Sequence, residues 1–536
     1  MARELKFDVE ARDGLKRGID QLANAVKVTL GPKGRIVVFK NSYTGIHATK
    51  DGVTVAENAV DLEDNLEKMG AEMILEAASN TGNLAGDGTT SATVLAQAMV
   101  ELGLKNVAAG ANPMDLKRGM DKALDYIIKQ IKRSSNDVEG SVDMIRNVAT
   151  ISANNDPVIG ELIAEAFEKV GSEGVITVEE SSSTETYVNT VKGLQFDRGY
   201  LSPYFMTDSD GKKAEYDNIN IIIVDDKIHT PTDLRPIIQY SQNNPVLLIC
   251  NDISTEALTA IVMAKVRGNS KIIAIKSPYI GEKRKETLED LSILTGAYII
   301  SEKKGYNVST FQPKMAGGAE KCVVNATGTI IVNGTGNEET VETHLKYLED
   351  RTSTQPSGFE KQRAEERSQR LRGGVAVLYV GAASEVELKE KRDRVDDSLA
   401  ATKAALEEGI VAGGGVALLR ASSNIIKLNC DNPDEGTGVS IVLDACKAPI
   451  KQISKNSGQP GDVIINKILE STVRQYGYDF KNDKYCNMID SGIIDPTMVV
   501  RVGLENAVSV AGMVIMTECV MVNTHNEEEG MPQFMK

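Results

Sequence analysis

Residues 85–100 read AGDGTTSATVLAQAMV, a pair of glycines flanking an aspartate immediately before an apolar pattern of helical period. Glycine permits the positive φ that turns backbone N–H groups toward an anion, and the start of a helix adds partial positive charge. Thr89, Thr90 and Ser91 contribute hydroxyl donors, and Asp87 is placed to hold a magnesium ion. The segment therefore reads as a phosphate cradle, although Gly-Asp-Gly-Thr taken alone is more often a capped turn. No Walker sequence competes with it: the Gly211-Lys212 pair is followed by Lys213 and lacks the upstream glycine. Further turns of the same character occur at TLGPKGR (29–35) and TKDGVT (49–54). In VAGGGVALLR, Gly413, Gly414 and Gly415 permit either close backbone approach to a flat ligand or a flexible joint.

The rest of the chain narrows the chemistry. Its 536 residues exceed what one core organises, and about 150 residues per domain predicts three or four domains. The formal charge of −16, with no basic stripe, argues against nucleic acid as a partner. With 41% hydrophobic residues and no evident apolar run of membrane length, no membrane role is expected. The start MARELKFDVEARDGLKRG has no apolar core of a secretory signal, which predicts a cytoplasmic protein or one in an equivalent compartment. Six scattered cysteines without a CxxC pair read as reduced thiols, and the isolated histidines 47, 229, 344 and 525 leave catalysis to carboxylates.

Helical texture fills the first third, as in DGLKRGIDQLANAVKVTL (13–30). From about residue 190, β-branched runs NINIIIVDD, NPVLLICND and SKIIAIKSP alternate with helical stretches and predict a parallel α/β layer. A charged stretch (360–374), the strand VAVLYVG and the long helix SEVELKEKRDRVDDSLAATKAALEEG follow, with helix dominating to an acidic end at 526–536.

TLGPKGR, KDGVTVA, AGDGTT, NPMDLKRGMDKA, TISANN, EGVITVEE, QFDRGYLSPYF, RVDDSLAATKAALEEGIVAGGGVAL and NMIDSGIIDPT occur in the order and spacing of the group I chaperonins, which the whole chain resembles. The resemblance implies an α+β multidomain fold. Residues 1–134 and 408–536 would form a mainly helical equatorial ATP-binding domain, 135–191 and 376–407 an intermediate hinge, and 192–375 an α/β apical domain that binds polypeptide. It assigns nucleotide contacts to Thr29, Leu30, Gly31, Pro32, Lys50, Asp87, Gly88, Thr89, Thr90, Ser91, Ile151, Gly414 and Asp495, and magnesium to Asp87. It makes Asp397 the hydrolytic carboxylate and Asp51 a second acid near the γ-phosphate. Asp396 and Asp397 are adjacent on a helix, so only one can face a ligand. The sequence departs from the family at Asp479, Phe480 and Lys481, where small uncharged residues are expected beside the nucleoside.

For polypeptide binding the resemblance assigns Tyr200, Tyr204, Phe205, Ile238, Leu258, Val262 and Met263. The stretch TEALTAIVMAKVRG (255–268) is apolar on every side, which fits either a buried helix or one with an exposed apolar face. A second helix is expected to start at Thr230 and Pro231, with Leu234 and Ile238 on one face and Arg235 replacing an apolar contact. The implied function is an ATP-dependent folding chamber that hydrolyses ATP with magnesium and potassium. It would act on unfolded polypeptides as homo-oligomeric heptameric rings, single or double, closed by a small co-chaperonin. A ring-shaped holdase or scaffold with little turnover is the alternative, disfavoured by the intact Asp51, Asp87 and Asp397.

Overall fold

The computed structural model describes residues 3–41, 45–138, 141–171, 175–181, 183–191, 193–208, 212–268, 270–354, 363–364, 367–368, 371, 375–423 and 428–523. Most of the charged stretch 360–374 and all of the acidic end lie outside them. The chain divides into two compact units, one comprising Met1–Glu165, Glu180–Tyr187 and Val380–Lys536, the other Ala166–Glu179 and Val188–Tyr379. Of the residues expected in a hinge, 135–165, 180–187 and 380–407 fall in the first unit and 166–179, 188–191 and 376–379 in the second.

The amino-terminal arm carries β1 (Arg3–Phe7), α1 (Asp8–Val26), the hairpin β2 (Val37–Asn41) and β3 (Gly45–Thr49), α2 (Gly52–Ala59), α3 (Asn65–Ala85), α4 (Thr89–Ala108), α5 (Pro113–Ser134), α6 (Val142–Ser152) and α7 (Pro157–Val170). Local chemistry sets several boundaries. Asp64 accepts from the amides of Leu66 and Glu67 to start α3, and Asn112 with Pro113 at the first position starts α5, which ends on Lys132 and Arg133.

The central unit holds β4 (Val175–Glu180), β5 (Tyr187–Val191), β6 (Gly193–Phe196), β7 (Ala214–Ile228), α8 (Arg235–Tyr240), β8 (Val246–Ile253), α9 (Thr255–Val266), β9 (Ile272–Lys276), α10 (Gly281–Thr295), β10 (Ile299–Ile300), β11 (Gly317–Val324), β12 (Thr329–Gly334), α11 (Glu338–Thr354) and β13 (Val375–Val380). The three runs expected to be parallel are β7, β8 and β9, and they pair in parallel through the buried segments 221–224, 247–250 and 272–275. The seven-stranded sheet is mixed, however, because β11 joins β7 antiparallel and continues through β12 to β6. Its connecting helices begin later than expected at one point. Thr230 donates its amide to Asp233 within a turn, and α8 starts only at Arg235, which leaves Leu234 fully buried.

The return arm carries α12 (Glu385–Glu408), β14 (Ile410–Ala412), α13 (Val416–Ser423), α14 (Pro433–Ala445), α15 (Ala448–Asn456), α16 (Gly461–Glu470), the hairpin β15 (Tyr476–Asp479) and β16 (Lys484–Asn487), β17 (Ile494–Pro496), α17 (Thr497–Met516) and β18 (Cys519–Asn523), which pairs antiparallel with β1. The 20-residue α17 is long and apolar enough to cross a membrane, contrary to the expectation of no such segment. Leu504, Ala507, Val508, Ala511, Val514 and Ile515 along it are fully buried in the helical core with Leu15, Ile74, Met99 and Met120.

Two helix pairs in this core touch backbone to backbone. A Cβ at Gly18 or Gly70 would strike the carbonyls of Glu67 or Leu15 between α1 and α3, and one at Gly119 or Gly438 those of Glu435 or Leu116 between α5 and α14. Gly119→Ala is expected to destabilise the unit by about 1–3 kcal/mol, because neither backbone can yield. Gly436→Ala, on the same α14 but with open space for 4 Å around the point where its Cβ would sit, should instead stabilise by about 0.5–1 kcal/mol. Thermal unfolding followed by circular dichroism checks both signs.

Candidate functional site: a carboxylate-lined cleft in the helical unit

The cleft is built where α3 ends and α4 begins. Gly86 terminates α3 in the left-handed region at φ 75°, its amide bonded to Gly82 O at 2.8 Å, and Gly88 at φ 86° is the N-cap of α4. Because that cap is glycine, no side chain takes the first amides of α4, and Thr89, Thr90 and Ser91 open onto a cavity of about 440 Å³. Glycine is required twice over here, since a Cβ at Gly86 would strike Ala400 of α12 and one at Gly88 would crowd Val499. The close approach at Ala400 brings α12 against the loop, and Asp397, one turn earlier, lines the same cavity. Ser398 Oγ donates to Ala149 O at 2.7 Å and fixes α12 to α6.

Every nucleotide contact expected from the sequence lines this one cavity: Thr29, Leu30, Gly31 and Pro32, Lys50 and Asp51, Asp87 to Ser91, Ile151, Asp397, Gly414 and Asp495. Thr29 is held by its hydroxyl bond to Val26 O at 2.9 Å, and Asn456 of α15 donates to Lys27 O and Leu30 O at 2.9 Å, which anchors the 27–30 turn. Asp51 caps α2, accepting from Val53 and Thr54 amides at 3.2 and 2.7 Å. Asp495 sits on β17, paired to β14, and the triple glycine is an ordered turn beside it, tied by Gly413 N to Ile493 O at 3.0 Å. Asp396 faces solvent beside Arg392, so of the two adjacent acids only Asp397 reaches the cleft.

Sequence reasoning passed over Ser152, although it lies inside the TISANN block; its hydroxyl donates to Asp87 Oδ2 at 2.7 Å. It also passed over Ile453, Met488 and Ile493, which with Phe480 form an apolar wall. That wall belongs to a small core with Val416, Ile450, Ile464 and Tyr478, so the cleft floor is rigid.

The electrostatics are those of a cluster of buried acids. Burial raises the Asp87 carboxyl despite hydrogen bonds from Ser152 and the Gly88 amide, with Asp51 adding to the rise. Burial, then Asp51, Asp87, Asp393 and Asp396, pushes Asp397 well above the usual carboxylate range. Burial and Asp87 push Asp495 up to about 7. None of Asp51, Asp87, Asp397 and Asp495 is ion-paired to a described lysine, arginine or histidine. Among the described residues no group of three or more His, Cys, Asp or Glu forms a metal cage of protein ligands alone. The donor set suits magnesium held by one carboxylate and shared with phosphate oxygens.

The residues assigned to polypeptide binding all belong to the central unit. Tyr204, in the 3₁₀ turn Pro203–Phe205 packed against α9, is 68% exposed. Ser254 caps α9, which buries only Ala257 and Ile261, leaves Leu258 and Val262 half-buried, and exposes Met263 and Val266 at 43% and 59%. The helix thus keeps an exposed apolar face. Ile238 and Tyr200 are half-buried, the latter with its hydroxyl 3.6 Å from Met206 Sδ. Phe205 corrects the expectation: it is completely buried in the sheet core and presents no surface.

A mainly helical unit built from both chain ends, with a Gly-Asp-Gly cleft of carboxylates, together with a central mixed-sheet unit, has the architecture of a chaperonin subunit. The sequence model of the TCP-1/cpn60 chaperonin family matches residues 22–241 and 233–525, and the chain belongs to that family, group I-like within it. The chaperonin gp146 from the bacteriophage EL 2 (Pseudomonas aeruginosa), crystallised in the presence of ATP-BeFx, has the same fold. In crystal form II it matches with a TM-score of 0.64 at 21% identity over 97% of this chain and 99% of that one. In form I the TM-score is 0.61 at the same identity and coverage.

Acids whose folded pKa is raised bind protons more tightly folded than unfolded. They therefore cost nothing below about pH 4, and they destabilise increasingly as pH rises through the folded value. For Asp495 that window runs from about 4 up to about 7. In the absence of nucleotide, Asp397→Asn and Asp495→Asn are each expected to raise the thermal midpoint at pH 8, by a margin that shrinks toward pH 5. Equal gains at both values would mean that the carboxyls are not repelled.

Proposed function

We propose that this chaperonin is an ATP-hydrolysing folding machine that captures non-native polypeptide on the apolar face of α9 and releases it through a cycle run at the cleft. The observation that carries this reading is the convergence of an open helix N-terminus, the hydroxyls of Thr89, Thr90 and Ser91, and four unneutralised carboxylates in one cavity. Phosphate groups fit the amides and hydroxyls, and a flat base fits the apolar wall with the Gly414 backbone. Asp87 would hold magnesium, which when bound offsets the charge of the triphosphate. Ser152 orients the Asp87 carboxylate. Asp397, which lines the cavity from α12, accepts the proton of the attacking water. Asp51, held by its own capping bonds, supplies the second acid. Potassium remains in the reading as a counter-ion to the other carboxylates.

Ring assembly is part of the same proposal. The ribbons β1/β18 and β2/β3 each have two strands and open edges, with Leu5, Phe7, Met521 and Val38 exposed, and such ribbons are marginal until a partner covers them. The three-domain division, heptameric rings, a co-chaperonin lid and a cytoplasmic or equivalent setting complete the proposal. The exposed Arg235 on α8 makes the polypeptide surface more polar than the family pattern.

Asp397→Ala should retain nucleotide binding while slowing hydrolysis roughly 10²–10⁴-fold, whereas Asp87→Ala should lose both. Phosphate release and fluorescent-nucleotide titration separate the two, and unchanged turnover in Asp397→Ala would sink the assignment. Tyr204→Glu should abolish protection of an unfolded client against aggregation and spare ATP turnover. Phe205→Ser, by contrast, should act through folding, costing about 3–5 kcal/mol of stability. Client protection at wild-type stoichiometry by Tyr204→Glu would place the capture surface elsewhere.

A further inference from the structure

Two walls of the cleft come from segments remote in sequence, the turn at 29–34 and the β15–β16 hairpin, and a single ion pair joins their tips. Lys33 Nζ lies 2.9 and 2.8 Å from the two carboxylate oxygens of Asp483, across a separation of 450 residues. Gln459, from the connection between α15 and α16, donates to the same carboxylate at 3.1 Å. The residues just before each partner, Gly31 and Pro32 on one side and Lys481 and Asn482 on the other, line the cavity.

Both arms are stiff. Gly31 takes φ 87°, Gly34 N bonds Gly31 O at 2.9 Å, and a Cβ at Gly34 would strike Thr29 O. In the hairpin, Asp479 accepts from the Lys481 and Asn482 amides at 2.9 and 3.1 Å and from Asn482 Nδ2 at 2.7 Å, and Asp483 itself sits at φ 52°. Rigid turns present the charges to one another, so little backbone order is lost when the pair forms.

We propose that Lys33 and Asp483 form an electrostatic clasp across the cleft mouth, acting as positioning residues that set how fast bound nucleotide leaves. Parting the two walls requires breaking this pair, so it retards release without touching the reacting phosphates. The inference rests on the reading of the cleft as a nucleotide site. Its side chains are 36% and 43% exposed, which limits the effect of an exposed pair to roughly 2- to 5-fold and makes it salt-sensitive.

The test uses the full-length protein preloaded with fluorescent ADP and chased with unlabelled ADP in a stopped-flow instrument, at low and at high salt. Lys33→Glu and Asp483→Lys are each expected to release ADP roughly 2- to 5-fold faster at low salt, with the difference from the unaltered chain vanishing at high salt. The doubly reversed protein, Lys33→Glu with Asp483→Lys, should return to the slow rate. Single reversals that release at the unaltered rate would overturn the clasp. So would a double reversal as fast as the singles, which would show Lys33 acting on the nucleotide directly. Absence of any saturable ADP binding to the unaltered chain would overturn the nucleotide reading itself, a result distinct from normal binding with unchanged rates.

Discussion

The constraint on which the helical unit depends is the crowding of Asp51, Asp87, Asp397 and Asp495 into one cleft without a described cationic partner. The proton-free carboxylates of Asp87, Asp397 and Asp495 are disfavoured by burial and by acidic neighbours, so the arrangement persists only because stronger packing dictates it. That packing is identifiable. Gly86 admits α12 against the α3–α4 turn, Ser398 pins α12 to α6, and the buried face of α17 backs α4. A site of this kind is a reservoir of unfavourable electrostatics, which under the proposed function a polyvalent ligand with its cation would relieve.

The central unit solves the opposite problem. Its sheet buries Ile221–Val224, Leu247–Cys250 and Ile272–Ile275 completely, which is ample to hold the fold, and α9 adds only Ala257 and Ile261 to that core. Leu258 and Val262 pack against that core only in part, and the exposed Met263 and Val266 contribute little to folding. Their exposure beside Tyr204 is a cost in solubility with no return within the unit, which the proposed capture of other apolar chains would explain.

The glycine turn and helix start were legible in the sequence, because glycine conformation, helix start and hydroxyl donors all act within the six residues Gly86 to Ser91, although the choice between a phosphate cradle and a capped turn came from family resemblance. It did not separate Asp396 from Asp397, since helical spacing only says that they diverge; the choice came from family resemblance, and the orientation of α12 toward α6 then accounts for it. Long-range partners were equally hidden. Ser152 looked like an ordinary helical serine, and its bond to Asp87 depends on a contact 65 residues away in sequence. Phe205 was misread because neighbours in a 3₁₀ turn point in different directions, so the exposure of Tyr204 implies burial of the next ring. The antiparallel side of the sheet escaped because β11 and β12 lack the uninterrupted apolar runs of β7 to β9. The apolar length of α17 was missed because Arg501 and Glu505 break it up to the eye, and these two are ion-paired at 2.9 Å.

The departure at Asp479–Lys481 takes on a different meaning once its hydrogen bonds are counted. An aspartate beside a nucleoside would ordinarily add charge to the cleft and weaken binding of an anion. Here burial opposes the Asp479 charge, but bonds from the Asn482 side chain and from the Asn482 and Lys481 amides outweigh it and hold the carboxyl below its usual value. The charge is spent on shaping the turn. Phe480 meanwhile stacks edge-on against Tyr478 at 4.9 Å and joins the core beneath the cleft. Small residues at these positions would leave a loop that only bound ligand could order. The residues present build a hairpin that is ordered in advance, and it is this rigidity that lets an exposed ion pair at its tip hold two walls together.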